Sequence, residues 1–183
     1  MNFIKTDIDG VFIIEPKIFN DERGYFFESY NENEFRNAGI DVKFVQDNQS
    51  MSKSYGIIRG LHAQGGIHSQ SKLVRVLEGK VLDVAVDIRE NSPTFGKYVS
   101  VELSDVNGRQ LFIPRGFLHG FAVLSDSAVF VYKCDNFYCK ESEISVRYDD
   151  PDIGINWQIP DDKVIVSEKD RQAQRLKDVI NNR

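Results

Sequence analysis

The chain has 183 residues, of which 41% are hydrophobic and 11% aromatic, and its formal net charge is −5. This apolar content can bury a substantial core, and the length predicts a single domain over residues 1–183 with its core at about residues 8–160. The acidic balance argues against nucleic-acid binding, which normally needs a basic face. A local cluster of Arg and Lys can still bind a small anionic ligand.

The N-terminal residues, "MNFIKTDIDGVFII", lack the apolar run of about 7–15 residues that a signal peptide needs, and no segment approaches membrane-span length. The two cysteines, Cys134 and Cys139, form neither a CxxC pair nor a disulfide framework. We therefore expect reduced thiols packed near strands, and a cytoplasmic protein without a membrane partner.

Most apolar segments are short and bounded by Gly, Pro, Asn or Asp, which is typical of strands. Within "VLDVAVDI", residues 81–88, the even-numbered positions are all apolar and the odd-numbered ones include Asp83 and Asp87, which predicts a half-buried strand. The predicted strands, in chain order, are Val11–Ile14, Tyr25–Ser29, Val42–Val45, Leu73–Leu77, Val81–Ile88, Tyr98–Leu103, Gln110–Ile113, Phe121–Leu124 and Ala128–Lys133.

Two segments have helical signals. In "NENEFRNAG", Asn31 is placed as an N-cap, Glu34 follows three residues later and Gly39 ends the helix. The segment that begins at Ser167 predicts a terminal helix over about residues 167–180. Many short strands with little helix favour a sandwich or barrel. The sequence thus predicts an all-β domain with peripheral helices.

The segment "IRGLHAQGGIHSQSKLVRVLEG", residues 58–79, follows Gly56 and ends at Gly79. Its spacing of glycines and polar residues resembles the sequence motif of the cupin jelly roll. The cupin motifs are G-x5-H-x-H-x3,4-E-x6-G and G-x5-P-x-G-x2-H-x3-N. This chain resembles the first at Gly56, His62, Gln64, Lys72 and Gly79, and the second at Gly108, Pro114, Gly116 and His119. The resemblance implies a cupin-type double-stranded β-helix.

Two of the metal ligands of that motif are replaced. Gln64 stands in place of the second histidine and Lys72 in place of the glutamate, and an ammonium group has no lone pair for a cation. We therefore predict no metal. Without one, His62 is suited to remove a proton next to a carbonyl, and Lys72 to stabilise the enolate oxygen. The alternative is that His62 is a structural residue of a strand.

Eight stretches in order, the first beginning at residue 21 and the last ending at residue 171, resemble the dTDP-4-dehydrorhamnose 3,5-epimerase family. They are "DERGYFFESYN", "FVQDNQSMS", "IRGLHAQ", "QSKLVRVLEGKVLDVAVDIRENSPTFG", "QLFIPRGFLHGFAVLSD", "VYKCDNFY", "DDPDIGINW" and "VSEKDR". The resemblance implies inversion of C3 and C5 of dTDP-4-dehydro-6-deoxy-D-glucose through an enolate, for dTDP-L-rhamnose biosynthesis. It also implies no cofactor, and a homodimer with exchanged N-terminal strands.

The resemblance also assigns catalytic roles. It implies that His62 is the base, that Asp170 orients His62, that Tyr132 returns the proton and that Lys72 stabilises the enolate. Other interpretations stay open at this stage: Asp170 fits a capping box opened by Ser167, Tyr132 fits an ordinary core position, and Lys72 fits a surface residue.

Substrate binding is likewise implied by the resemblance, because a diphosphate needs cations and a sugar needs directed hydrogen bonds. The alternatives are surface ion pairs for the charged residues and turn formation for "QDNQS". The implied binding residues, besides Lys72, are Arg23, Glu28, Gln46, Asp47, Asn48, Arg59, His119, Glu143 and Lys169.

The chain departs from the family pattern at Ala63, where the family usually has an aromatic residue, and this leaves the sugar and the nucleotide open. Three rival functions also stay open. They are a mono-epimerase or ketoisomerase acting on a related nucleotide sugar, a non-catalytic cupin that binds a sugar nucleotide, and a metal-dependent cupin oxygenase. His68 is interpreted as a loop residue without a role.

Overall fold

A computed structural model describes residues 1–181 of the chain, so that residues 182–183 of the predicted domain lie outside the described part. The strands are β1 (Asn2–Lys5), β2 (Phe12–Glu15), β3 (Phe19–Asp21), β4 (Gly24–Phe26), β5 (Gln46–Ser52), β6 (Ile58–Gln64), β7 (Lys72–Asp87), β8 (Tyr98–Ser104), β9 (Gln110–Ile113), β10 (Phe117–Cys134) and β11 (Glu143–Ser145). The α-helices are α1 (Glu32–Asn37), α2 (Glu168–Arg171) and α3 (Leu176–Asn181).

Two long antiparallel strands, β7 and β10, are shared by both sheets of the barrel. They pair from Phe117↔Asp87 at one end to Cys134↔Lys72 at the other, with register shifts between. The first half of β7 and the second half of β10 belong to a sheet in the order β1-β2-β9-β7-β10-β5. Their other halves belong to a sheet in the order β8-β7-β10-β6-β11. This arrangement confirms the predicted all-β jelly roll with short peripheral helices.

Gly79 lies where β7 passes from one sheet to the other. Its φ is +82°, and a Cβ atom there would lie 2.1 Å from the carbonyl oxygen of Ser127. Only glycine tolerates both the conformation and the close approach. The passage lets Val76 and Val81, on either side of Gly79, pack into the same core.

The main core fills the space between the two sheets. It includes Val74, Leu111 and Phe130 from one sheet and Leu103 and Phe121 from the other, all buried. The rings of Phe121 and Phe130 stack with their centroids 4.2 Å apart. Each side chain of this size stabilises the fold by about 1.5–3 kcal/mol when it is fully buried.

Two further cores cover the outer faces of the sheets. Phe35 of α1 packs with Ile14 and Leu73 over the first sheet. Trp157 and Leu176, from the C-terminal segments, pack over the second sheet. The C-terminal third of the chain is thereby held against β6, the strand that carries His62.

The strand at residues 81–88 is buried on both faces, so the prediction of a half-buried strand is wrong. Its even-numbered side chains pack under Trp157 in the outer core. On the inner face, Asp83 is paired with His119 and Asp87 accepts hydrogen bonds from Arg89. Polar residues on this strand therefore mark buried pairs, not a solvated face.

The predicted strand Val42–Val45 is also wrong, because the strand begins next to it, at Gln46. Val42 and Phe44 instead pack against the outer core of the first sheet. The polar sequence "QDNQSMS" of β5 hides its strand character, because several of its polar side chains line a cavity and are not outward-facing. The sequence also did not indicate β1, β3, β6 and β11.

The prediction of one continuous terminal helix is wrong. The segment is divided into α2 and α3, because Gln174 forms a bridge with Val146 and its carbonyl accepts from the N–H of Arg147. The carboxylate of Asp150 then accepts from the N–H of Leu176 at 2.7 Å and starts α3. Tertiary contacts therefore override the local helical preference of residues 172–175.

The first helix begins as predicted. The side chain of Asn31 accepts from the N–H groups of Asn33 and Glu34, which is the geometry of an N-cap. The chain leaves the helix through Gly39, whose φ is +87°. Within residues 1–181, no helix has the length and apolar composition to cross a membrane.

Candidate active site

A cavity of about 640 Å³ lies between the strands of the two sheets. This volume is in the range of small-molecule sites, about 300–1,000 Å³. The structure brings together, around this cavity, most of the residues that the sequence indicated: Asn48, Arg59, His62, Lys72, His119, Tyr132, Glu143, Lys169 and Asp170.

His62 and Asp170 form a hydrogen-bonded pair on one wall. The Nε2 atom of His62, on β6, lies 2.7 Å from Oδ1 of Asp170, at the start of the C-terminal helices. Asp170 is 4% exposed, whereas the His62 side chain is 32% exposed toward the cavity. Ser167 does cap α2 by accepting from the N–H of Asp170, but the Asp170 carboxylate accepts from His62 and from the N–H of Gly60.

The protonation of this pair follows from its surroundings. Burial alone would raise the pKa of Asp170, but the hydrogen bond and charge of His62, together with the N–H of Gly60, lower it overall. An ionised carboxylate only accepts hydrogen bonds, so Nε2 of His62 carries a proton and donates it. The lone pair of the neutral imidazole is then on Nδ1, free to act as a base.

Gly60 allows β6 to approach β10 closely beside the pair. A Cβ atom on Gly60 would lie 2.6 Å from the Cα of Gly120 and 2.9 Å from the carbonyl oxygen of His119. The two strands come together here so that His62 and His119 are cross-strand neighbours. Two adjacent glycines on facing strands are thus a packing requirement of the site.

Lys72 and Tyr132 lie on the other sheet. The Lys72 side chain is half-buried at the cavity wall, and this burial lowers the pKa of its ammonium group. The Lys72 Nζ atom lies 5.8 Å from the centre of the Tyr132 ring. Burial raises the pKa of Tyr132, so its hydroxyl stays protonated and can donate.

His119 is buried beside His62 and is bound to Asp83, with its Nε2 atom 2.8 Å from Oδ1. Burial lowers the pKa of His119, and the nearby Lys72 and His62 lower it further, whereas Asp83 raises it. Asp83 is fully buried, and among residues 1–181 its Oδ2 atom has no hydrogen-bond partner. A second histidine–carboxylate pair therefore lies next to the first.

Charged and aromatic residues surround the mouth of the cavity. Lys169 donates to Glu143, and the hydroxyl of Tyr138 donates to the other oxygen of the same carboxylate at 3.2 Å. Burial alone would raise the pKa of Glu143, but Lys169 lowers it overall. Arg59 is exposed and is held by Ser52 Oγ at 3.1 Å and the carbonyl of Met51 at 3.2 Å. These cations offer a binding place for an anion.

The three residues of "QDN" divide between the two faces of β5. Asn48 lines the cavity, and Gln46 donates to the Asn48 side chain at 3.0 Å. Asp47 lies on the opposite face, where Lys133 donates to both of its oxygens at 3.0 Å. The structure of one chain therefore does not bring Asp47 to this cavity.

Arg23 and Glu28 also lie away from the cavity. The side chain of Arg23, at the β3–β4 hairpin, is 85% exposed and pairs with Asp21 at 2.6 Å. Glu28 accepts from the side chain of Asn31 at 3.2 Å. Beside them the hairpin exposes apolar rings, with Tyr25 65% and Phe26 67% exposed.

The positions of the cupin metal ligands hold Gln64 and Lys72, both at the cavity wall. Among residues 1–181, no group of three or more His, Cys, Asp or Glu side chains is arranged to hold a metal ion. Ala63 borders the cavity, but its side chain belongs to the outer core and pairs with Ile144. An aromatic residue at this position would thus extend chiefly into that core.

Three residues of the site were not indicated by the sequence reasoning. Tyr138 lies in "VYKCDNFY", where the family resemblance implies no role for it, and the alternation within residues 81–88 predicts Asp83 on the exposed face of its strand. The cupin pattern indicates Gln64 only as the replacement of a metal ligand. The available signal for Asp83 was a carboxylate within an otherwise apolar strand, which points to a buried partner.

A jelly-roll barrel with a histidine paired to a buried aspartate, a half-buried lysine and a tyrosine around one cavity has the features of a cupin-type isomerase. The family model of dTDP-4-dehydrorhamnose 3,5-epimerase matches residues 5–178. The chain therefore belongs to the dTDP-4-dehydrorhamnose 3,5-epimerase family, and it is an epimerase.

Close relatives agree over nearly the whole chain. The dTDP-4-dehydrorhamnose 3,5-epimerase of Shigella flexneri is 54% identical over 179 residues, 97% of each chain. The crystal structure of that enzyme from Elizabethkingia anophelis is 57% identical, covers 97% of each chain and has a TM-score of 0.93. A Legionella pneumophila dTDP-6-deoxy-D-glucose-3,5-epimerase, in complex with dTDP-4-keto-L-rhamnose, is 51% identical with a TM-score of 0.92, covering 96% of this chain and 93% of that one.

Proposed function

We propose that this protein is a cytoplasmic dTDP-4-dehydrorhamnose 3,5-epimerase that inverts C3 and C5 of dTDP-4-dehydro-6-deoxy-D-glucose, in dTDP-L-rhamnose biosynthesis. The observation that carries the proposal is the His62–Asp170 pair, 2.7 Å apart, at a cavity that Lys72 and Tyr132 also line. The names of the relatives agree with this substrate. The free thiols Cys134 and Cys139 are in keeping with a reducing compartment.

His62 starts the reaction as a general base. Its Nδ1 lone pair takes the proton from C3 or C5, both of which are α to the C4 ketone. The electrons of the C–H bond move to the C4 oxygen and form an enolate. Asp170 stabilises the imidazolium that results, since its carboxylate is already hydrogen-bonded to Nε2.

Lys72 and Tyr132 complete each inversion. The Lys72 ammonium stabilises the negative charge on the C4 oxygen, as an oxyanion-hole group does. The Tyr132 hydroxyl gives its proton to the same carbon from the opposite face, so the centre is inverted and the ketone is restored. His62 then carries the extra proton and Tyr132 lacks one, and exchange with solvent resets both before the second centre reacts.

Arg23 and Glu28, in the β3–β4 hairpin and just after it, enter this proposal through a second copy of the chain. They lie outside the cavity of their own chain, and the apolar rings of Tyr25 and Phe26 are exposed beside Arg23. We infer a homodimer in which the N-terminal hairpin of one chain reaches the cavity of its partner. The exposed rings would then be buried at the interface, which suits an apolar contact.

Turnover of the 4-keto substrate by the purified protein tests this function. We expect NMR of the product to show the inverted configuration at both C3 and C5. A product inverted at one carbon would indicate a mono-epimerase, and a product in which the ketone has moved to another carbon would indicate a ketoisomerase. Binding of the substrate without any turnover would indicate a non-catalytic sugar-nucleotide cupin, and activity that requires a metal would indicate a different chemistry.

A further inference from the structure

We propose that Gln64, in addition to the residues above, binds the sugar of the substrate through its amide NH2 group. Its carbonyl oxygen holds in place the rim of the cavity, which is the segment of residues 136–139. The proposal rests on the proposed function, since it takes a nucleotide-linked hexose as the ligand. Gln64 is 8% exposed and lines the cavity on the same strand as His62.

The orientation of the Gln64 amide is fixed by its partner. The backbone N–H of Cys139 can only donate, and it lies 2.8 Å from Oε1 of Gln64. The oxygen therefore faces Cys139, and Nε2 is the other end of the amide. Within the described residues 1–181, Nε2 makes no hydrogen bond, and it is not among the buried atoms that lack a partner. Its donors are thus available at the cavity.

The position of Gln64 selects the sugar over the diphosphate. His62 and Gln64 are two residues apart on β6, so their side chains are on the same face, about 7 Å apart along the strand. A base at C3 or C5 puts the hexose ring directly beside Gln64. The cations that suit the diphosphate lie farther out, since Arg59 and Lys169 are exposed and the Lys169 side chain is 58% exposed. A neutral donor at depth suits a hydroxyl or ketone oxygen.

The carbonyl oxygen of the Gln64 amide connects the sugar-binding end of the cavity to its rim. Residues 138–139 are held at two consecutive N–H groups, that of Tyr138 by Gln46 at 3.2 Å and that of Cys139 by Gln64 at 2.8 Å. Glu143, the register partner of Gln64 on β11, is already bound by Lys169 and Tyr138. Gln64 is therefore placed to contact both the rim, through its carbonyl oxygen, and the sugar, through its NH2 group.

The test compares Gln64→Met with Gln70→Met. Gln70 also lines the cavity, but its Nε2 already donates to the carbonyl of Asn136 at 2.8 Å in the rim segment. Both variants remove one rim hydrogen bond, and only Gln64→Met removes a free donor. We expect kcat/KM for the 4-keto substrate to fall about tenfold further in Gln64→Met than in Gln70→Met, the effect of one lost hydrogen bond. The Kd values for dTDP, which lacks the hexose, should agree within about twofold.

Two outcomes would overturn the proposal. One is an equal loss of kcat/KM in the two variants, and the other is a loss of dTDP affinity in Gln64→Met as large as its loss of kcat/KM. Either would leave Gln64 as a rim residue only. A wild-type protein without turnover would refute the proposed function instead. Titrations with dTDP-glucose and dTDP would then test the role of Gln64. We expect Gln64→Met to weaken the binding of dTDP-glucose and to leave the binding of dTDP unchanged.

Discussion

At the level of single residues, the proposed chemistry depends on which nitrogen of His62 holds the proton. Asp170 sets this by accepting from Nε2 at 2.7 Å, and the outer core of the second sheet holds the C-terminal segments that carry Asp170. In the proposed mechanism the Asp170 carboxylate therefore acts through His62 and is a positioning residue.

Asp170→Asn should lower kcat by about a hundredfold or more, because the amide can hold the imidazole in the wrong tautomer and cannot stabilise the imidazolium. KM should change little, since Asp170 accepts from His62 and not from the substrate. Steady-state kinetics with Glu168→Gln as the control would measure this. Glu168 is an exposed residue of the same helix, and its variant should remain within about twofold of the wild type. Equal kcat values for the two variants would contradict the role of Asp170.

The alkaline side of the pH profile should report Lys72. Burial lowers the pKa of Lys72, so its ammonium form is lost at a lower pH than that of an exposed lysine, which titrates near 10.4. Activity should therefore fall as pH rises through that lowered value, whereas Tyr132, whose pKa is raised, is still protonated there. Lys72→Gln should lower kcat about a hundredfold and remove this limb. If Lys72→Gln still lost activity over the same alkaline pH range, that loss would belong to the titration of another group.

The residues that line the candidate site were predictable from the sequence where they lie in a local pattern. His62, Lys72 and Tyr132 lie in stretches that could be recognised. The free end of Gln64 and the partner of Asp83 depend on contacts between residues 75 and 36 positions apart, which no local pattern encodes.

At the level of elements, the apolar segments were found but their connections were not. The strand β9 begins and ends as predicted, at Gln110 and Ile113, because all four of its residues are buried and three of them are apolar. The segments on either side of Gly79 were predicted as two strands, yet they form the single strand β7. Glycine ends a strand in most local patterns, and only the facing Ser127 shows that the chain continues here.

Asp150 should be the strongest single cap in the C-terminal segment. It is 2% exposed, and its carboxylate accepts from the N–H groups of Leu176 at 2.7 Å and Asp152 at 2.8 Å. Asp150→Asn should destabilise the fold by about 1–3 kcal/mol, because an amide replaces an acceptor with a donor. The neighbouring Asp149→Asn removes only a surface pair with Arg147 and should cost less than about 1 kcal/mol. Equal denaturation midpoints for the two variants would show that Asp150 is not a cap.

At the level of the whole molecule, the proposed exchange of hairpins predicts complementation. Arg23→Ala and His62→Ala should each be nearly inactive alone. In a mixed dimer, one cavity combines an intact His62 with an intact Arg23 from the other chain, so co-expression should restore about a quarter of the wild-type activity, since half of the random dimers are mixed. If both residues served the same chain, no activity would return. Light scattering gives the dimer mass independently.

The central claim is that His62 removes protons from C3 and C5 of a 4-keto sugar. It is tested most directly by incubating the substrate in deuterated water with the wild type, His62→Ala and Tyr132→Phe. We predict deuterium at both carbons with the wild type, no label with His62→Ala, and label without inversion with Tyr132→Phe. Exchange by His62→Ala at the wild-type rate, or no label with the wild type, would contradict the claim.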